Sequence, residues 1–334
     1  MSLGPLLARP LLATLALAAA LAPAAAHAAP QALYQWGTGF GSYNAAGTYT
    51  PYAPTGGLAL GYTTQTDPFA FDSTGNVYFP GWDANSVLKV TPSGVLSTFA
   101  TFGSLYGFNT ALSVEVGPDN SVYVGSQGGA IAKVTPGGVV SAVTGADWIP
   151  SVLAFDPAGH LWEAKDPTSS LTKFSLDLST HSDVASYGFY AHINSMAFAP
   201  NGDLYYFVPH ENVSGATNNG DGYGDIYRRQ PDGTTNSFAV VPSGYDVPIA
   251  VDDHGTVYAR TGLNQISSFD AGGTPTAFIN DSRLGGMKGM AFADAPAEVP
   301  EPASMAILGL GLGGLAAVRR RQKKSRSNTN SAND

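Results

Sequence analysis

Residues 209–225 concentrate the oxygen-bearing side chains that a hard cation prefers. Asn219, Asp221 and Asp225 supply oxygen donors at close spacing, and Gly222 permits a sharp turn between them. This pattern is typical of part of a Ca²⁺-binding loop, so Ca²⁺ is the ion that the sequence suggests, although no cofactor is certain. Arg228 stands where such a loop would need a bidentate glutamate. A plain solvated loop rich in Asn and Gly is therefore the alternative.

A second group of candidates pairs aromatic side chains with Asn, Asp and His in the segments between apolar runs. Aromatic rings beside such polar groups can stack on sugars or ligate an ion, and packing of one loop on another is the alternative role. The predicted binding residues are Tyr106, Asn109, Trp148, Glu163, Tyr190, His192, Asn194, Tyr245 and Asp246, with Arg283 and Lys288 in the last such segment.

A carboxylate and a histidine on one face would suit metal-assisted lactone hydrolysis or a lyase reaction. Glu163, His192 and His210 are the residues that favour this interpretation. No set of residues with the spacing of a known catalytic site is recognisable, so none is predicted to be catalytic.

These candidates must be positioned by a repeated unit, AFDSTGNVYF at Ala70–Phe79. Alternating apolar residues, a turn with Asp and Gly, and a β-branched or aromatic strand predict a β-hairpin. Related copies recur 39 to 53 residues apart, which is near the period of four-stranded propeller blades. Aligned positions in the six copies are Phe71, Val116, Phe155, Phe198, Val251 and Phe292.

The order of the hairpins predicts an all-β propeller, with six blades as the leading count. Residues 31–47 resemble the second hairpin of the repeats, so the chain begins with outer strands and ends with an inner strand at Met287–Asp294. Strands from both termini then close the ring and hide its edges. The closing blade is expected to have three strands. Alternatively, residues 48–66 supply the missing strand, or they form a long loop. A five-bladed ring with extra strands is the alternative blade count.

Composition supports this architecture and limits the partners. The chain has 334 residues, 44% of them apolar, with 40 Gly and 23 Pro, which indicates many turns around a large core. Cysteine is absent, which excludes disulfides, thiolate metal sites and a cysteine nucleophile. Residues 29–298 contain 23 acidic and 9 basic residues, a net charge of −14, which would repel a phosphate backbone and argues against nucleic acid as a partner.

The N-terminal segment, residues 1–28, has the pattern of a secretory signal peptide. One arginine precedes the apolar run at 11–22, and Ala26-His27-Ala28 forms a small-residue cleavage site. We expect a signal helix here that is handled by the Sec translocon, and a retained anchor helix is the alternative.

The C-terminal segment, residues 299–326, has three parts in a fixed order. Val299, Pro300, Glu301, Pro302 and Ala303 are followed by a hydrophobic helix at 303–318, a basic cluster, and a polar tail at 327–334. The apolar stretch is shorter than the roughly 20 residues that span a bilayer comfortably, but flanking residues can adapt. The basic cluster is expected to stay cytoplasmic, and an ordinary uncleaved anchor is the alternative.

Two resemblances follow from these motifs. The repeats resemble those of NHL-type and gluconolactonase-like β-propellers over about residues 31–295, although the metal-binding Glu, Asn and Asp set of those enzymes has no matching positions here. The C-terminal segment resembles the PEP-CTERM sorting signal of Gram-negative bacteria. That resemblance implies anchoring in the inner membrane through 303–318, cleavage by exosortase near the motif, and delivery to the cell surface or an exopolysaccharide matrix.

The predicted function is therefore that of an exported surface or matrix propeller, 29–298, which binds polysaccharide, Ca²⁺ or protein. A secreted metal-dependent hydrolase or lyase, similar to a lactonase, is the alternative. The loops between the repeats, each of which occurs once, decide between these two functions, and the repeat does not specify the shape of those loops.

Overall fold

The computed structural model describes residues 31–36, 40–52, 69–81, 85–103, 108–145, 149–166, 170–186, 192–210, 222–242 and 247–294. These residues form 24 strands and a short 3-10 helix, Ser282–Gly286. The first twelve strands are β1 Gln31–Trp36, β2 Phe40–Tyr43, β3 Tyr49–Pro51, β4 Ala70–Phe71, β5 Val77–Gly81, β6 Ser86–Val90, β7 Leu96–Thr101, β8 Ala111–Val116, β9 Val122–Ser126, β10 Ala130–Val134, β11 Val140–Gly145 and β12 Ile149–Phe155. The last twelve are β13 Leu161–Asp166, β14 Ser170–Phe174, β15 His181–Ser186, β16 Ser195–Phe198, β17 Leu204–Pro209, β18 Tyr223–Arg229, β19 Thr235–Pro242, β20 Ile249–Val251, β21 Val257–Gly262, β22 Gln265–Phe269, β23 Pro275–Asn280 and β24 Gly289–Asp294.

The strands form six four-stranded antiparallel sheets, the blades of a β-propeller. Blades I to V are β4–β7, β8–β11, β12–β15, β16–β19 and β20–β23, each in chain order from the inside outward. Blade VI has the order β24-β1-β2-β3. The six-bladed prediction is confirmed, and the five-bladed alternative is wrong.

The recurring Asp of the repeat holds the turn between the first two strands. Asp156 accepts hydrogen bonds from the backbone N–H of His160 and from the indole N–H of Trp162, and lies 3.0 Å from the Lys173 ammonium. Burial opposes ionisation of Asp156, but these contacts outweigh it and lower its pKa to about 2. Gly159 completes the turn at φ +83°, where an L side chain would be strained.

The same repeat joins neighbouring blades. In four of the six seams, the Phe of the inner strand packs on an aromatic ring of the preceding blade, with ring centroids 4.6 to 5.3 Å apart. The pairs are Tyr34–Phe71, Tyr123–Phe155, Trp162–Phe198 and Tyr258–Phe292. Val116 and Val251 take the corresponding place in the remaining two seams. The repeat therefore has a packing role, since each unit supplies an aromatic or apolar side chain to the seams on both sides of its blade.

Closure of the ring joins the two ends of the chain, as predicted. Strand β1 pairs with β24 from Gln31 opposite Asp294 to Trp36 opposite Gly289. Residues 31–36 are the second strand of blade VI, one strand further inward than their likeness to the outer hairpins predicts. Tyr49–Pro51 then adds a fourth strand, so the three-stranded closing blade is wrong and the alternative, a missing strand supplied from residues 48–66, is confirmed.

The propeller has two faces. The turn face is formed by the tight turns between first and second strands and between third and fourth strands, residues 44–48, 72–76, 91–95, 117–121, 135–139, 156–160, 175–180, 199–203, 230–234, 252–256 and 270–274. The loop face, on the opposite side, is formed by the connections between blades and between second and third strands. No helix in the described ranges is long and apolar enough to cross a membrane, and the predicted terminal helices lie outside those ranges.

Candidate functional site

The loop face carries three of the predicted binding residues that the structure describes, Asn109, His192 and Asn194. Asn109 precedes β8 with an exposed side chain, and its backbone is held by the Ser126 hydroxyl, which accepts from the Asn109 N–H and donates to its carbonyl. Asn194 precedes β16, is partly exposed, and donates its N–H to the Phe207 carbonyl. Both asparagines are thus fixed by their backbones at the starts of inner strands.

His192 and Asp166 form a pair between blades III and IV. Asp166 ends the second strand of blade III, and His192 lies just before the first strand of blade IV. The His192 Nδ1 atom is 2.5 Å from Asp166 Oδ1, and the two side chains are 29% and 25% exposed. The sequence placed His192 on this face, but its partner comes from a different blade.

Asp225 is engaged by two side chains of its own blade. His210 Nε2 lies 2.7 Å from Asp225 Oδ2, and the Ser237 hydroxyl donates to Asp225 Oδ1 at 2.7 Å. A Ca²⁺ ion at Asp225 would share the carboxylate with these two contacts, because each oxygen keeps a second lone pair. Gly222 has φ +79°, in agreement with the expected sharp turn.

Several predicted residues lie outside the described ranges, and their placement stays a prediction. They are Tyr106, Trp148, Tyr190, Tyr245, Asp246, Asn219, Asp221 and the sorting residues Val299, Pro300, Glu301, Pro302 and Ala303.

Glu163 lies in the seam between blades II and III rather than on the open loop face. It is 0% exposed and stands opposite Leu153 in register, so both side chains point to the same side of blade III. Leu153 belongs to the apolar cluster that joins blades II and III, with Tyr123 and Ile131.

Glu115 is a second acidic residue of this seam, which our reading of the sequence missed. It occupies the position where the other five repeats have alanine, so the signal in the sequence is a glutamate at an otherwise constant alanine position. Those alanines are Ala70, Ala154, Ala197, Ala250 and Ala291. Glu115 stands opposite Tyr123 in register and accepts the Val116 N–H through Oε1. Burial raises its pKa to about 7, and the backbone hydrogen bond opposes this only in part.

Glu115→Gln is expected to stabilise the protein at pH 8 by about 2 kcal/mol and to change little at pH 4. A folded pKa of about 7, above the ordinary 4.5, means that wild type loses stability as the pH rises between these values. Partial contact with solvent makes the effect smaller than the full shift would give. Chemical denaturation at both pH values measures it.

Asp253→Asn on the exposed turn of blade V is the control, and its stability should follow the wild-type pH dependence. A Glu115→Gln variant that is no more stable at pH 8 than at pH 4, relative to wild type, would contradict the buried-carboxyl account.

Arg260 organises the connection that leads to the closing strand. Arg260 is 2% exposed, and its guanidinium donates to the carbonyls of Gly262, Leu263, Gly285 and Met287. The last two carbonyls belong to the 281–288 connection, so one buried side chain of blade V holds the loop face at the entry to β24.

The turn face has its own concave features. Two cavities of about 490 and 480 Å³ flank the 199–203 turn of blade IV, one beside Tyr205 and Arg228 and the other beside Trp162 and Lys173. Trp162 is itself only 9% exposed, so its ring offers little surface for stacking.

Asp252, Asp253 and His254, also on the turn face, bring potential metal ligands within 4.8 Å of one another. Asp252 Oδ1 accepts hydrogen bonds from the backbone N–H groups of His254 and Thr256. These hydrogen bonds stabilise the turn, which explains the aspartate without a metal.

The C-terminal signal is matched by a family model. Residues 298–321 match the PEP-CTERM protein-sorting motif, which includes every predicted sorting residue. Such a motif marks an exported protein that is anchored in the membrane and then processed by exosortase. No curated protein sequence matches the chain significantly.

Solved propellers resemble the fold. A gluconolactonase from Xanthomonas campestris is 16% identical with a TM-score of 0.54, over 70% of this chain and 84% of that one. Virginiamycin B lyase from Staphylococcus aureus is 14% identical with a TM-score of 0.52, over 72% and 76%. A chain of a nidogen/laminin complex is 12% identical with a TM-score of 0.58, over 80% and 98%. At these identities the likeness shows the fold alone.

Proposed function

We propose that the mature protein, residues 29–298 after removal of the signal peptide 1–28 and processing at 299–326, is a cell-surface or matrix propeller that binds neutral polysaccharide through its loop face. Exosortase-dependent export brings it to that location. The paired carboxylates of the loop face carry the proposal.

The chemistry of these pairs suits hydroxyl groups. Asp166 with His192, and Asp225 with His210, place partly exposed carboxylate and imidazole side chains at the loop face without leaving bare carboxylates. Such pairs can accept and donate hydrogen bonds to sugar hydroxyls. Asn109 adds an exposed amide that does both.

Charge favours a neutral ligand over a polyanion. Residues 29–298 carry a net charge of −14, and a polymer rich in carboxylate or sulfate would be repelled over the distance of a Debye length. A neutral glycan avoids this repulsion, and the aromatic residues predicted on the same loops would stack on its rings.

The double variant Asp166→Asn/His192→Ala is expected to weaken binding of a neutral polysaccharide at least tenfold, or about 1.4 kcal/mol. Affinity electrophoresis of the purified protein in gels that contain a neutral glucan or galactan, or anionic alginate, measures the retardation. We expect retardation by a neutral polymer and none by alginate.

The matched control is Asp253→Asn/His254→Ala on the turn face. That pair has the same Nδ1–Oδ1 distance of 2.5 Å but lies on the opposite side, so binding should be unchanged. Equal loss in both double variants, or wild type that no neutral polymer retards, would refute the proposal.

A secreted hydrolase or lyase is the second candidate, favoured by the contact of His192 with Asp166. A carboxylate at Nδ1 orients the imidazole so that Nε2 would take a proton from a substrate. Among the described residues, the cluster of three potential metal ligands, Asp252, Asp253 and His254, lies on the turn face, so a metal-dependent version at the loop face fits poorly. Turnover of lactone or polysaccharide substrates that His192→Ala abolishes would favour this candidate over simple binding.

A further inference from the structure

The described chain begins and ends at one place on the turn face. The inner strand of blade VI ends at Asp294, directly opposite Gln31, where its neighbouring strand begins. In the other five blades a tight turn joins the first and second strands at this level. In blade VI the two ends of the described chain stand where that turn would be.

The sorting motif follows this point closely. Its match begins at residue 298, so residues 295–297 alone separate it from Asp294. An extended chain advances about 3.5 Å per residue, so the Cα atoms of Asp294 and Glu298 lie at most about 14 Å apart. The apolar stretch begins at Ala303, which the same rule places within about 32 Å of Asp294. An anchored propeller must therefore stay close to the bilayer on its turn-face side.

Charge indicates that the turn face is tethered rather than adsorbed. The tight turns that define it carry aspartates such as Asp72, Asp252 and Asp270, and none of these described turns contains lysine or arginine. Lys133 and Lys173, on the adjoining strands, are paired with aspartates of the turns. An anionic lipid surface repels such a face, which leaves a gap between the propeller and the headgroups.

We infer that, before cleavage, the turn face is the surface that faces the membrane and the sorting protease, while the loop face points away from both. A strand of about six residues, with a rise of about 3.3 Å per residue, is about 20 Å long, so the two faces are about 20 Å apart. The loop face is then open to ligands while the protein is still anchored. This inference rests on the sorting motif and is independent of the polysaccharide proposed above.

Energy transfer from single labelled cysteines to lipid headgroups tests this orientation. The chain contains no cysteine, so Ala271→Cys on the turn face and Thr101→Cys at the loop-face end of β7 each provide one exposed label site. We expect full-length protein to be retained in membranes of cells that lack exosortase, where it is labelled with a donor dye. With an acceptor dye on the headgroups, we expect an energy-transfer rate at least threefold higher at position 271 than at 101.

A spacer provides the second measurement. Ten Gly and Ser residues inserted after Pro296 should lower transfer from position 271, because the tether alone holds the face near the bilayer. Equal transfer at both positions, higher transfer at 101, or a spacer without effect would overturn the orientation. Full-length protein that is not retained in the membrane would instead overturn the anchored state itself, and polysaccharide binding enters neither measurement.

Discussion

Arg260→Met is expected to lower the free energy of unfolding by about 3 to 5 kcal/mol. Arg260 is buried, and its guanidinium donates hydrogen bonds to four backbone carbonyls, two of them in the 281–288 connection that leads to β24. Methionine can fill much of the volume but donates no hydrogen bond, so the buried Met287 carbonyl and three partly buried carbonyls would lose this partner. Because β24 closes the ring, the loss should lower the cooperativity of unfolding as well as its midpoint.

Arg283→Met is the matched control in the same connection. Arg283 pairs with Asp281 at 2.6 Å and lies over the Tyr49 ring, but its side chain is 53% exposed. An exposed pair of this kind contributes about 1 kcal/mol or less. Guanidinium chloride unfolding, followed by tryptophan fluorescence, measures both variants. A similar small loss in the two would show that Arg260 is not what holds the closing connection.

Gly273→Ala is expected to lower the free energy of unfolding by about 2 to 5 kcal/mol. Gly273 lies in the 270–274 turn at φ +80°, which an L side chain adopts at a cost of about 1 to 2 kcal/mol. An added Cβ would also lie well inside contact distance of the Phe238 carbonyl oxygen in blade IV. That oxygen is backbone, so blades IV and V would have to separate locally, at a further cost of about 1 to 3 kcal/mol.

Gly255→Ala separates the two contributions. Gly255 has φ +85°, but no atom lies within 4 Å of the Cβ that alanine would add, so backbone strain alone should act. We expect a loss of about 1 to 2 kcal/mol for this variant, measured by the same chemical unfolding. Equal losses of unfolding free energy at both glycines would mean that blades IV and V separate at little cost, which would contradict close packing between Gly273 and the Phe238 carbonyl.

Much of the fold was predictable because the repeat is local. Asp72, Gly75 and Tyr78 lie within seven residues of one another, and their turn and hydrogen bonds form inside one hairpin. Alternation along a strand then decides which side chains enter a seam. Six such units imply six blades, and an incomplete last unit implies closure by the other end of the chain.

The closing blade shows where this reasoning fell short. Residues 31–36 resemble an outer hairpin strand, yet they form the second strand because β24 has an unpaired edge that β1 satisfies. Tyr49–Pro51 is a strand for the same reason, since β2 offers the next edge. Both assignments depend on which edges remain free once the ring forms.

The sequence by itself determined the all-β repeat, the order of hairpins and the C-terminal sorting motif, because each is written in neighbouring residues. The tertiary structure decided that His192 meets Asp166, that Glu115 and Glu163 lie in one seam, and that β1 pairs with β24 as the second strand of blade VI. The first two pairs join neighbouring blades, and the third brings Gln31 opposite Asp294, 263 residues away in the chain. Such contacts exist only when the ring has closed.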